Sequence, residues 1–225
     1  LMKILFDYAL DNEIINSNPV TRKVKVVCGT EERAARVLTV QEQSKLISCL
    51  GSYSFKNQYL FVLNTGLRCG EMIALTWDDV DFNGRKVSVN KTATVISSDG
   101  QIIINPPKTK SSVRDVPLTQ EALKILKEQK KRNVIDIENS RYVFTGNDGE
   151  IVSNQNYSRT LTYICKKNGI EPLSMHSLRH TFATRCIEAG MKPKTLQTIL
   201  GHSTLAMTMN KYVHTTEDEK LKELE

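Results

Sequence analysis

Apolar residues recur at helical spacing from the start of the chain, at Ile4, Leu5, Tyr8, Ala9, Ile14 and Ile15, until Asn18-Pro19 opposes further helix. One helix is predicted from about residue 3 to 15. Alone it would be marginal in water, so it is expected to come from a larger helical domain or to pack on later segments of the chain. Residues 21 to 36 (TRKVKVVCGTEERAAR) are polar, basic and aperiodic, as in a linker. Thr39-Val-Gln-Glu42 then has the form of a capping box and opens a run of helices predicted near 40–50, 56–65 and 69–76. The period changes to two in Arg85-Lys-Val-Ser-Val89 and again over Val113 to Val116, with an apolar run at Ile102 to Ile104 between them. Two or three short antiparallel strands are predicted there, with turns at Ser98-Asp-Gly100 and around Pro106-Pro107. Helical spacing resumes over 119–132, 153–168, 176–189, 193–200 and 204–213, with a last helix in the tail. The fold class is therefore mainly α with a small antiparallel β-sheet, an α+β domain.

With 225 residues and 40% hydrophobic content, the chain can fill a sizeable core. No segment approaches the roughly 20 apolar residues of a membrane span, and the first residues do not form a signal sequence, so a cytosolic protein is expected. The five cysteines (Cys28, Cys49, Cys69, Cys165, Cys186) are scattered with no CxxC pair, which points to free thiols rather than a disulfide framework or zinc site. A net charge of +6 favours a polyanionic partner, and the acidic tail TTEDEKLKELE makes the remaining body more basic still. Lys and Arg gather at 21–25, including Lys23 and Lys25, and at 108–114, 124–132 and 166–167. Ordinary solvated surface is the competing reading of that charge.

Five stretches hold residues able to act on an anion. In Thr65-Gly-Leu-Arg68-Cys-Gly-Glu71 an arginine follows a helix-ending glycine, and Glu71 sits where it can orient the guanidinium; the alternative is a surface ion pair. In Met175-His176-Ser-Leu-Arg179-His180, His176 and Arg179 share a helix face while Leu178 and Phe182 supply the buried side. Leu200-Gly-His202 and Asn210-Lys-Tyr212-Val-His214 add a histidine and a tyrosine, each of which is also at home as a structural residue. Pro106-Pro-Lys108-Thr-Lys110-Ser-Ser-Val-Arg114-Asp-Val-Pro117 reads as a cation-rich hairpin that either presents Lys108 to a phosphate or lies along a DNA backbone.

In that order TGLRCGE, PPKTKSSVRDVPL, HSLRHTFAT, LGH and NKYVH resemble the tyrosine recombinase (phage integrase) family, most like integrases of conjugative transposons and temperate phages. The match runs from about Leu38 to His214, with Arg68 about 40 residues before Lys108 and His202 ten before Tyr212.

The resemblance implies a catalytic domain at 38–214, preceded by the last helix of a truncated core-binding domain at 1–20 and a basic linker at 21–37. It implies Arg68 and Arg179 as phosphate ligands, Lys108 (with Lys110 as rival) as hairpin lysine, His176 and His202 as further catalytic positions, and Tyr212 as nucleophile. Glu71 and His180 become supporting residues, and Lys110, Arg114, Lys23 and Lys25 are expected to contact DNA. The implied enzyme is a site-specific DNA recombinase with no metal and no cofactor. It would act in the bacterial cytosol or nucleoid as a dimer to tetramer on double-stranded DNA, with an accessory DNA-bending protein or excisionase as further partners. A Xer-like resolvase and a non-catalytic DNA-binding regulator are the alternatives. The tail at 215–225 reads either as a segment exchanged between subunits or as a solvated helix end.

Overall fold

The computed structural model describes residues 2–19, 36–95, 101–107, 112–136 and 141–212. Two compact units are present, residues 1–34 and 35–225. In the first, helix α1 (Met2–Asp11) stops four residues short of the predicted end. Glu13 turns into the left-handed region (φ 54°), and the Ile14 amide donates back to the Ala9 carbonyl at 2.9 Å. This is a Schellman-type ending built without glycine; the apolar spacing of Ile14 and Ile15 does not reveal it.

The second unit opens as its sequence predicts. The Thr39 hydroxyl accepts from the Glu42 amide and the Glu42 carboxylate accepts from the Thr39 amide, starting α2 (Val40–Cys49). The segment before it is tied to the C-terminal half of the domain, since the Leu38 amide donates to Thr181 and Arg185 donates to the Leu38 carbonyl.

At the centre lies α3 (Lys56–Thr65), buried on most of its circumference and packed against both α5 (Gln120–Asp136) and α7 (Met175–Glu188). Tyr59, Phe61, Phe144, Tyr157, Leu161 and Leu178 are fully buried around it, each such side chain contributing roughly 1.5–3 kcal/mol by leaving water. The Tyr59 hydroxyl is satisfied by the Tyr157 carbonyl at 2.9 Å on α6 (Asn154–Lys167).

Helix α4 (Cys69–Ile73) is shorter than the predicted 69–76. Asp79 accepts from both the amide and the hydroxyl of Thr76, winding Trp77–Asp79 into a separate 3-10 turn. The strands also outnumber the expectation. β1 (Val80–Asp81), β2 (Lys86–Val89) and β5 (Arg114–Pro117) form an antiparallel sheet in the order β1-β2-β5, while β3 (Thr92–Val95) and β4 (Ile102–Asn105) pair only with each other. The strands flanking Lys108 therefore do not pair, which corrects the hairpin expected there. Pro106 and Pro107 lack the amide hydrogens that would prolong the ladder, and the chain passes from one sheet to the other. The predicted turn at Ser98-Asp-Gly100 lies outside the described residues. So do Lys108, Lys110, Lys23, Lys25 and the tail from 213 to 225.

Two further helices complete the domain, α8 (Pro193–Leu200) and α9 (Leu205–Tyr212). None of the described helices is long and apolar enough to cross a membrane.

Candidate active site

Three arginines from separate stretches of chain meet at one buried carboxylate. Gly66, in the left-handed conformation (φ 65°), ends α3 and lets the chain turn sharply into Arg68 and α4. Glu71 on α4 is 5% exposed, so the alternative of a surface ion pair does not apply. Its Oε1 accepts from Arg68 Nη1 at 2.8 Å and from Arg114 Nη1 at 3.0 Å. Its Oε2 accepts from the Arg68 amide at 2.8 Å and from Arg114 Nη2 at 2.9 Å, with Arg179 Nη1 3.9 Å away. Burial alone would raise the Glu71 pKa, but the hydrogen bonds and charge of Arg114, and then the charge of Arg68, outweigh it and hold the carboxyl below its ordinary range.

Arg179 is almost completely buried on α7. Its Nη1 donates to the Gly66 carbonyl and its Nη2 to the Leu200 carbonyl, both at 2.7 Å. These bonds join the carboxyl ends of α3 and α8, whose carbonyls are left over at helix termini and carry partial negative charge. Nη2 also lies 3.1 Å from His202 Nε2. His202 follows Gly201, whose φ of 64° ends α8. The other imidazole nitrogen, Nδ1, is 2.9 Å from the hydroxyl of Thr208, a fully buried residue of α9.

Arg68, Arg179 and His176 line one open pocket of about 280 Å³, shared with Cys69, Ser158 and Ser174. The fork of Arg68 is more than one-third exposed, so it faces solvent where Arg179 stiffens the wall. His176 stands edge-on to His180, ring centroids 4.2 Å apart, and His180 is buried beneath it as a support. The pocket thus gathers two guanidinium groups and an imidazole around a space suited to a tetrahedral anion.

Of the predicted site residues, Arg68, Arg179, His176, His202, Glu71 and His180 converge here. Tyr212 is the last residue of α9, four residues beyond Thr208, and its side chain lies outside the described residues. Arg114 requires a correction. Expected to contact DNA, it is instead buried and engaged on Glu71 through both terminal nitrogens, while its Nε donates to the Ile199 carbonyl. Strand parity explains this: Val116 faces the core, so Arg114, two residues earlier, faces it as well. Thr208 was missed by sequence reasoning, because a threonine on a helix gives no sign of a histidine partner six residues back. Among the described residues no group of three or more His, Cys, Asp or Glu is placed to hold a metal ion.

The chain is similar to known recombinases and integrases. A tyrosine recombinase XerC-like protein of Caldanaerobacter subterraneus is 32% identical, the match covering 100% of this chain and 63% of the relative. The transposase from transposon Tn916 of Enterococcus faecalis is 31% identical over 99% of this chain and 58% of its own length. The ICEBs1 integrase of Bacillus subtilis is 32% identical over 93% and 58%, respectively. The chain therefore spans about three-fifths of the length of the curated relatives it matches. Among solved structures, the Tn1549 transposon integrase in complex with a circular intermediate DNA superposes with a TM-score of 0.79 at 27% identity, covering 99% of this chain and 75% of the other. The XerA recombinase gives 0.65 at 27% identity, over 84% and 63%. The Phage integrase family profile matches residues 36–219, more than half of the chain, and the chain belongs to the phage integrase family of tyrosine recombinases.

Proposed function

We propose that this chain cuts and rejoins DNA as the catalytic part of a site-specific recombinase, integrating and excising a mobile element through a 3′-phosphotyrosyl intermediate. The observation that carries the reading is the presence of Arg68, Arg179 and His176 on one pocket, with His202 bonded to Arg179. The likeness to the Tn1549 integrase, solved with transposon circular intermediate DNA, and to the Tn916 transposase supports the same substrate class.

A phosphodiester resists attack because its charge repels an incoming oxygen, and the pentavalent transition state concentrates charge on the non-bridging oxygens. Arg68 and Arg179 meet that charge with fixed donors already held by Glu71 and by helix-end carbonyls, so little reorganisation is needed during the reaction. In the proposed step the Tyr212 phenolic oxygen forms a bond to phosphorus as the bond to the 5′ oxygen breaks. His176 accepts the phenolic proton, and Lys108, or its rival Lys110, protonates the departing 5′ oxygen. The ester retains the energy of the cut bond, so the reverse attack by a 5′ hydroxyl on a partner strand needs no ATP and no cofactor. The arginines fill the role a metal ion has in other nucleases, and activity is expected to persist in EDTA.

The same proposal makes α1 the last helix of a core-binding domain and residues 21–37 a basic linker carrying Lys23 and Lys25 to DNA. It makes the tail from 215 a segment exchanged between subunits in a dimer or tetramer on DNA, with accessory DNA-bending or excision proteins, in the bacterial cytosol. The similarity to a XerC-like recombinase favours, as a second reading, resolution of chromosome dimers by the same chemistry. Excision of a flanking mobile element in cells tells the two apart.

The test is a nicked suicide duplex from which the cut end diffuses away. A covalent protein–DNA band is expected from the unaltered chain and none from Tyr212→Phe; a band of equal strength from both would remove Tyr212 as nucleophile.

A further inference from the structure

Arg114 takes no part in the phosphoryl chemistry, yet it is among the most heavily bonded side chains of the domain. It begins β5, its side chain is 4% exposed, and it spans three elements: both oxygens of Glu71 on α4, the Ile199 carbonyl on α8, and the Ser112 carbonyl beside its own strand. The turn next to it is fitted around the guanidinium, since a Cβ on Gly201 would come within 2.9 Å of Arg114 Nη1.

The charge arrangement gives this contact a consequence. Three guanidinium groups approach one carboxylate, and Arg114 holds it through two parallel bonds while Arg68 uses one side-chain nitrogen and Arg179 stands at 3.9 Å. An Arg–carboxylate fork is the strongest pairing available to Glu71. Were Arg114 absent, each Glu71 oxygen would keep a single partner, and a carboxylate so deeply buried would draw the fork of Arg68 further in and neutralise it, because an under-compensated charge is costly in a buried site.

We propose that Arg114 is a positioning residue for the anion pocket. By committing the charge of Glu71, it leaves the positive charge of Arg68 and Arg179 for a phosphate, and it ties the strand that follows the Lys108 segment to the pocket floor. The proposal deepens the recombinase reading and rests on it for the identity of the phosphate as DNA.

The test compares the whole 225-residue chain with Arg114→Met, Arg114→Lys, Glu71→Gln and the double variant Glu71→Gln/Arg114→Met. Titration calorimetry with inorganic phosphate reads the pocket without requiring DNA cleavage. Arg114→Met is expected to weaken phosphate binding about tenfold, and the double variant to return to within about threefold of the unaltered chain, since no unpaired carboxylate competes for Arg68. On the suicide duplex, Arg114→Met is expected to slow covalent complex formation at saturating DNA by roughly 30-fold, with duplex affinity changed less than about threefold, and the double variant to recover most of the rate. A double variant as defective as Arg114→Met in both assays overturns the proposal, as does Arg114→Met with undiminished phosphate binding. Should Arg114→Met not fold, Arg114→Lys carries the test: its single ammonium cannot bridge both Glu71 oxygens, and unaltered phosphate binding and cleavage would overturn the proposal. If the unaltered chain cleaves no DNA, the recombinase reading fails, while the phosphate titration still decides the role of Arg114.

Discussion

Arg179 Nη2 lies 3.1 Å from His202 Nε2, and since a guanidinium has only hydrogens to offer, that nitrogen must present its lone pair. The proton of the neutral ring then resides on Nδ1 and is donated to the Thr208 hydroxyl, 2.9 Å away. Arg179 thus sets the tautomer of His202, and a residue of the helix that ends in Tyr212 accepts the ring proton.

This tautomer is open to direct test. Long-range ¹⁵N–¹H spectra near neutral pH are expected to show His202 protonated at Nδ1. Thr208→Val removes the acceptor with little change in volume and is expected to cost about 1–2 kcal/mol of stability, with cleavage slowed roughly tenfold. An Nε2–H ring in the unaltered chain would refute the assignment.

Gly66 offers a packing test. Its φ of 65° favours glycine, and an added Cβ would lie 2.3 Å from Phe182 Cδ1. Gly66→Ala is expected to lower unfolding free energy in urea by about 2 kcal/mol or more, as strain and overpacking act together. The loss of cleavage should exceed the loss expected from unfolding, because the Gly66 carbonyl anchors Arg179.

The charge of Glu71 makes stability depend on pH. Its pKa is lowered in the folded chain, so its contribution is fully present above the ordinary carboxyl value of 4.5 and is lost as pH falls through the lower folded value. Glu71→Gln is therefore expected to be less stable than the unaltered chain by about 3 kcal/mol at pH 7, with the gap narrowing steadily below pH 4.5. Urea titrations at stepped pH supply the measurement; a gap that is constant from pH 7 to acid would contradict the assignment.

Cys69 borders the pocket, yet burial pushes its thiol up to about 12, and burial raises Cys186 to about 11. Burial thus disfavours the Cys69 thiolate, which is the reactive form. Iodoacetamide should therefore leave both residues unmodified in the native chain and alkylate both in urea, as peptide mapping by mass spectrometry would show.

The helices were legible in the sequence to within a few residues wherever a cap or a glycine marked the boundary, as at Thr39, Gly66 and Gly201. Boundaries made by unexpected contacts were not. The α1 ending at Glu13 and the break of α4 before the Thr76–Asp79 turn both arise from side chains or backbone angles with weak local signals. β3 was overlooked because its pattern is half-buried and irregular, and only pairing with β4 makes it a strand. At β5 the apolar residues Val113 and Val116 are three apart, so the local pattern leaves open which face is buried. Val113 is mostly exposed, whereas Arg114 and Val116 face inward, so an arginine expected to contact DNA is a buried strut.

What the sequence by itself determined was the order of elements and the kinds of groups in the site, since helical periodicity, capping and turn chemistry act over a few neighbouring residues. Only the tertiary structure decided which charges meet. The Glu71–Arg114 fork joins residues 43 apart and the Arg179–Gly66 bond residues 113 apart. Such contacts exist because α3 and β5 bury their apolar faces in the main core and α8 packs beside β5 and α7, bringing polar ends together that no local pattern could pair.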